Sequence, residues 1–343
     1  MSTELLYLIS FCTAFLISLL VMPLCRFLAI KFNIMDSPIS AVKTHTISIP
    51  YMGGVAIFLG CILSLLIIRA VTSFPDGTLR SLRGIIYGSV MVMLLGFVDD
   101  AKFKGLGFKS KLIVQFLAAA IVVFGFDIRI NFFPSYLLSC IISIFWIVGI
   151  TNAFNIIDIM DGLSSGIAII AAFAFLFISL PTEMIYVNFC AAALAGSVLG
   201  FIPYNFSKSK KIFMGDTGSL FIGFVLASLA MGTSYTAMNE VGLFAPLLIL
   251  AVPIYETGLV SLFRMHKGKS PFLGSKDHYA LRLEKMGLSR KQILIMTYAA
   301  CIILAFCAFL FTKLPLSYAI MLLFLVLICL WVITVKLASV KVE

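Results

Sequence analysis

The stretch Asn152-Ala-Phe-Asn155-Ile-Ile-Asp158-Ile-Met-Asp161-Gly162 sets two amides and two carboxylates between long apolar segments. In a continuous helix, Asn155, Asp158 and Asp161 would share an arc of one face, each three residues from the next. Two more acidic sites stand in comparable places: Asp99-Asp100 closes one apolar run and Asp216 opens another. Carboxylates gathered at one membrane edge repel each other unless a cation joins them, and charge beside lipid is costly enough to mark function. The chemistry implied is a metal-dependent site at a membrane surface.

The surroundings of each acid sharpen that reading. Acids at a helix C-terminus oppose its dipole, so Asp99-Asp100 is a costly way to end a span. The following loop is basic, and Lys111 and Gln115 open the next run one turn apart on the same face. Lys111 suits a phosphate; it equally suits a helix end on the inner side. Asp216 sits in Phe213-Met-Gly-Asp216-Thr-Gly-Ser219. Asp is a common N-cap, yet a cap explains neither the flanking glycines nor Lys208, Lys210 and Lys211 before them. Glycines admit a diphosphate closely, and a helix N-terminus favours anions.

Other candidates lie in the connections. Lys43 and His45 share a loop between Pro38 and Pro50, suited to phosphate or simply to a basic inner loop. Gly53-Gly54 lets a helix start approach a neighbour. Asn152 and Asn155 need hydrogen-bond partners beside a span. Glu256, inside an apolar run, is expected to pair with Arg264 or a lysine. His278 and Arg282, four apart, face one side of a short amphipathic surface helix with Leu281, Leu283 and Met286 inward; near an acidic cluster they become substrate contacts.

The elements that position these residues follow from composition. The chain is 62% hydrophobic and 12% charged, beyond what a soluble chain of 343 residues shows. A span needs about 20 apolar residues. Runs of that kind lie near 4–30, 51–71, 83–98, 111–126, 134–152, 162–180, 184–203, 217–234, 241–263, 291–312 and 316–335. In lipid every backbone polar group must be paired internally, so each run is a helix. The expected fold is all-α, a polytopic integral membrane protein of about eleven transmembrane helices forming one domain over 1–343. Alternate connections hold 20 of the 25 Lys and Arg residues. Positive charge stays inside, which puts the N-terminus outside, the C-terminus in the cytoplasm and all five aspartates on the cytoplasmic side. Glu4, with no basic residue before the first run, argues against a removable signal peptide. The net charge of +10 describes one basic face, suited to anionic lipid or a phosphorylated substrate; no nucleic-acid partner is expected.

With these residues assembled, the chain resembles the polyprenyl-phosphate N-acetylhexosamine-1-phosphate transferases. The resemblance runs over nearly the whole length: Lys43/His45 with Pro50 and Gly53-Gly54, Asp99-Asp100, Lys111 with Gln115, Asn155-x-x-Asp158-x-x-Asp161-Gly162, and Phe213 to Ser219. It implies transfer of a HexNAc-1-phosphate from a UDP-sugar to polyprenyl (undecaprenyl) phosphate with Mg²⁺ or Mn²⁺, releasing UMP. That would be the first membrane step of a cell-envelope polysaccharide such as an O-antigen, at the inner (plasma) membrane. By resemblance Asp216 is a metal ligand, with Asp158 and Asp161 near metal and diphosphate. Asp99 and Asp100 lie by the lipid phosphate, Lys111 and Lys43 on phosphate, and Asn155 on substrate. A homodimer is suggested by the resemblance alone. Direct attack by the lipid phosphate, Asp99 as base, and a covalent aspartate all remain compatible with the pattern.

Departures bear on the donor sugar. Ala280 and Leu281 stand where the GlcNAc-1-phosphate branch has further histidines, leaving His278 and Arg282, and Ile159 stands where the family usually has Gly. A UDP-N-acetylhexosamine, GlcNAc first, is the expected donor; the phospho-MurNAc-pentapeptide translocase is the alternative. A cation-coupled transporter would place its charges near mid-membrane, with repeated broken helices. Here the acids sit at one edge and the sequence shows no repeat.

Overall fold

The computed structural model describes residues 3–37, 47–102, 105–182, 185–232, 235, 240–270 and 276–340. Lys43 and His45 lie outside the described residues. The chain divides into two compact units, the first carrying α1–α8 and the second α9–α13.

In the first unit each apolar run becomes a helix: α1 Thr3–Lys31, α2 Gly53–Val71, α3 Asp76–Ala101, α4 Phe108–Ala120, α5 Tyr136–Ile157, α6 Leu163–Ser179, α7 Ile185–Asn205 and α8 Gly215–Gly232. A π-helical turn, Ile121–Gly125, extends α4. Outside the spans, β1 Met35–Asp36 pairs antiparallel with β2 Ile49–Pro50. The third helix begins well before its apolar run, at Asp76, with Pro75 as its N-cap. Arg80 and Arg83 ride exposed on its opening turns.

The core of this unit is α8, which packs against α3, α5 and α2. Small residues let these backbones meet. A methyl on Gly54 would collide with the Gly218 backbone, and one on Gly218 would sit 2.9 Å from Gly54 Cα. One on Gly96 would lie 2.5 Å from the Asp216 carbonyl and the Thr217 nitrogen. These contacts bring the end of α3 and the start of α2 onto the first turn of α8.

The second unit holds α9 Ala245–Ile249, α10 Ala251–His266, α11 Tyr279–Lys285, α12 Arg290–Phe311 and α13 Leu316–Ala338. The apolar run at 241–263 is therefore not one straight helix: it bends by 68° between Ile249 and Ala251. Pro253 lacks an N–H and its ring would clash with the carbonyl four residues back, at Ile249. A capping box of Ser289 and Gln292 starts α12.

Among the described residues nine helices are long and apolar enough to span a membrane, the bent α9–α10 pair makes a tenth, and α6 falls just short at 17 residues. The protein is an all-α, multi-pass membrane protein. Two local expectations change. The fifth helix runs on to Ile157 and stops, so Asn155 is helical while Asp158 caps its end and Asp161 lies in the turn before α6. The three do not share one helical face; Gly162, at φ 79°, makes the reversal. In α11 the buried residues are Tyr279, Ala280 and Arg282, whereas Met286 is exposed. The face is inverted because Arg282 finds partners inside.

Candidate active site

The first turn of α8 is the hub. Asp100, from the end of α3, accepts from the Asp216 amide at 2.9 Å and from the Thr217 amide and hydroxyl at 3.0 and 2.6 Å. It therefore occupies the anion-seeking amides of this helix start from another helix. Gly215 (φ +68°) allows the approach, since a Cβ there would run into the Asp100 carboxylate. With the cap supplied by Asp100, the Asp216 side chain is free to point elsewhere. Its Oδ1 accepts from Asn155 Nδ2 at 2.9 Å and its Oδ2 meets Lys111 Nζ at 2.5 Å.

Lys111 also reaches Asp99 Oδ2 at 2.8 Å, so one ammonium bridges carboxylates from α3 and α8. Asp99 accepts in addition from the Leu106 amide at 2.5 Å. The positive φ of Gly105 lets the loop fold back over this carboxylate. One oxygen from each of Asp99, Asp100 and Asp216 lies within 4.8 Å of the others. An all-carboxylate, part-exposed set of hard oxygen donors fits Mg²⁺ or Mn²⁺ and disfavours softer metals.

The remaining acids flank this centre. Burial, then the neighbouring Asp216 and Asp161 carboxylates, push Asp158 up to about 8, so it holds a proton near neutrality that a nearby cation would displace. Asp161 pairs with Lys211 Nζ at 2.5 Å. Lys211 also lies 5.4 Å from the centre of the Phe213 ring. The Phe213 segment is held as in a strand pair: its amide donates to the Pro50 carbonyl, while the Gly53 and Gly54 amides donate to Phe213 and Met214.

Two residues of this region escape sequence reasoning. Asn205 accepts from the Gly162 amide at 2.8 Å and donates to the Ile212 carbonyl at 3.3 Å, joining the loop of Asp161 to that of Lys211. Tyr51 hydrogen-bonds Asp36, and its phenol is held well above the usual range by burial, by Asp36, and then by Asp100 and Asp216. A solitary Asn at the end of a helix, or a Tyr in a loop, carries no spacing signal. Only the flanking Gly53-Gly54 and Phe213-Met-Gly hint that these loops meet.

Beside α4 runs an apolar groove of about 710 Å³, lined by Lys109, Leu112, Ile113, Phe116 and Leu117 of α4 and reaching Ile144 of α5. Lys109 stands two residues from Lys111.

In the second unit Glu256 is fully buried, and among the described residues its partners are His278 Nδ1 at 2.7 Å and the Tyr279 amide at 3.1 Å rather than the expected Arg264 or a lysine. The Arg282 guanidinium is spent internally. It donates to Asp277 Oδ1 at 2.8 Å and to the Leu337 and Val340 carbonyls at 3.1 and 2.5 Å, and stacks 3.9 Å from the Phe263 ring centre. These bonds tie α11 to the end of α13.

The site is thus a set of carboxylates, a lysine and an asparagine from four helices of a multi-pass membrane protein, converging on one helix start. Comparison with known proteins gives the family. The family model "Glycosyl transferase family 4" matches residues 82–234. The chain is 31% identical to a probable undecaprenyl-phosphate N-acetylglucosaminyl 1-phosphate transferase of Bacillus subtilis, over 84% of this chain and 80% of that protein. It is 29% identical to the decaprenyl-phosphate N-acetylglucosaminephosphotransferase of Mycolicibacterium smegmatis (82% and 76%). It is 32% identical to a phospho-N-acetylmuramoyl-pentapeptide-transferase of Streptococcus pneumoniae (71% and 76%). This chain belongs to glycosyl transferase family 4.

Proposed function

We propose that the protein transfers a HexNAc-1-phosphate, GlcNAc-1-phosphate first, from a UDP-sugar to polyprenyl phosphate, releasing UMP, at the cytoplasmic face of the inner (plasma) membrane. The observation that carries this reading is the Asp99–Lys111–Asp216 bridge with Asp100 beside it. Phosphoryl transfer asks a protein for positioning and charge neutralisation more than for a covalent group. The relatives' names supply the donor and acceptor classes.

Asp99, Asp100 and Asp216, with Asp158 on ionisation, would hold Mg²⁺ or Mn²⁺, whose charge neutralises the donor diphosphate. Asn155 orients Asp216 through its amide. Lys111 holds Asp99 and Asp216 in one frame and would neutralise a substrate phosphate. Lys43 and His45 are assigned to the donor phosphates on sequence grounds, and His278 to the donor sugar. The acceptor's polyprenyl tail suits the apolar groove along α4, with Lys109 at hand for its phosphate. A lipid phosphate is mostly dianionic near neutral pH, its second pKa being about 6, so attack needs little help from a base. The whole chain would act as one catalytic domain.

Inverted vesicles that expose the cytoplasmic face, given undecaprenyl phosphate, Mg²⁺ and radiolabelled UDP-GlcNAc, test donor and orientation together, because nucleotide sugars do not cross bilayers. UMP release that needs both lipid and metal is the expected result. Turnover only in right-side-out vesicles would reverse the topology. Turnover only with UDP-MurNAc-pentapeptide would move the chain to the translocase branch.

A further inference from the structure

Gln115 and Asn152 take no part in the chemistry described so far, yet they face each other inside the first unit. Asn152 Nδ2 donates to Gln115 Oε1 at 2.6 Å and to the Val148 carbonyl at 2.7 Å, and Gln115 Nε2 returns a longer bond of 3.4 Å to Asn152 Oδ1. Gln115 is 1% exposed. Such a pair could be only a buried polar link between α4 and α5.

Its position says more. Gln115 lies one turn below Lys111 on α4, and Asn152 lies one turn before Asn155 on α5, each pair on one helix face. Lys111 and Asn155 are the two side chains that grip opposite oxygens of Asp216. The contacts close a ring: Gln115 to Lys111 along α4, Lys111 to Asp216, Asp216 to Asn155, Asn155 to Asn152 along α5, and Asn152 back to Gln115. In the packing of this unit α8 is held by α3, α5 and α2, and α4 rests on α3 and α5. Beside the Phe116–Phe145 ring contact, the amide pair is thus a directional side-chain link between α4 and α5, one turn from the residues that hold Asp216.

We propose that Gln115 and Asn152 are positioning residues, a clamp that fixes the spacing of Lys111 and Asn155 and thereby the orientation of the Asp216 carboxylate. Directional amide bonds suit this role. A Leu–Leu contact would fill the same space but let the helices slide by a fraction of an ångström, and pre-organised sites lose rate steeply to small displacements. The role is built on the transferase reading, so the test includes a measurement that does not need turnover.

Four chains are compared: wild type, Gln115→Leu, Asn152→Leu and the double Leu variant. Each is measured for thermal unfolding in detergent, for Mn²⁺ binding by electron paramagnetic resonance without substrates, and for UMP release. Asn152→Leu strands the buried Gln115 amide, and Gln115→Leu leaves part-buried Asn152 with its Val148 bond alone, so each should lower Tm, the first by more. The double variant removes both amides and should regain Tm. It should still show kcat lowered by roughly 10- to 100-fold with KM values changed by less than about threefold, and Mn²⁺ affinity weakened about tenfold. A double variant with wild-type kcat and Mn²⁺ affinity would overturn the proposal, as would activity that simply tracks Tm through the series. Should the double variant fail to fold, Gln115→Ala decides, because Asn152 keeps its bond to Val148. Normal Mn²⁺ affinity and kcat in that chain would overturn the clamp. Wild-type protein that binds Mn²⁺ but turns over no UDP-sugar would instead count against the transferase reading, leaving the Mn²⁺ comparison to judge the clamp.

Discussion

Asp100 and Asp216 are both aspartates at the membrane edge, and their surroundings give them different work. Asp100 accepts from the amides of a helix start while keeping an oxygen within 4.8 Å of those of Asp99 and Asp216, and Asp216 is held by a lysine and an asparagine from two other helices. Asp158 is different again, because burial among acids raises it to about 8. In the unfolded chain it would titrate near the ordinary value of about 3.9. A folded-state value above the unfolded one means that ionisation opposes the fold. Its stabilising contribution is full below about pH 4 and lost as pH rises through about 8. Without divalent cations, Tm in detergent should therefore fall between about pH 4 and about pH 8 and level off above that, and Asp158→Asn should flatten that slope. A slope unchanged by the substitution would exclude Asp158 as its source. At this scale the acids and the lysine that the structure brings together are legible from residue type and spacing. The residues that aim them are not: Asn205 and Tyr51 act through partners in other loops, and the Glu256–His278 contact joins a span to a loop.

Elements are legible where a physical rule leaves one answer. A run of about 20 apolar residues satisfies its backbone in lipid as a helix, so apolar length recovers the nine spanning helices found among the described residues, while the eleven runs overcount them. The departures occur where a local feature overrides the rule. Pro253 breaks the run at 241–263, the end of α5 at Ile157 separates Asp158 and Asp161 from Asn155, and Arg282 turns the polar side of α11 inward. Glycine spacing carries information that a motif search reads only as permissiveness. Gly96 and Gly149 look alike in sequence, yet a Cβ on Gly96 would strike the Asp216–Thr217 backbone, which cannot give, while Gly149 faces open space. Gly96→Ala should cost about 1–3 kcal/mol as overpacking and displace Asp216, lowering activity as well. Gly149→Ala should be neutral or stabilise by up to about 1 kcal/mol. Unfolding curves of the two variants decide this; equal effects would contradict the close packing of α3 on α8.

For the molecule as a whole, the amount of apolar sequence dictates a multi-pass membrane protein, and the lysine and arginine asymmetry underlies the proposed orientation. What composition leaves undetermined is that acids from 99 to 216 converge. That follows from small residues bringing α2 and α3 onto α8, a pairing set by shape. The measurement that bears most directly on this convergence is Mn²⁺ titration of purified protein followed by electron paramagnetic resonance, wild type beside Asp216→Asn. The account predicts one tightly bound ion per wild-type chain and affinity at least about 100-fold weaker in a variant that still melts cooperatively, with turnover lost in parallel. Equal stoichiometry and affinity in the two proteins would contradict it.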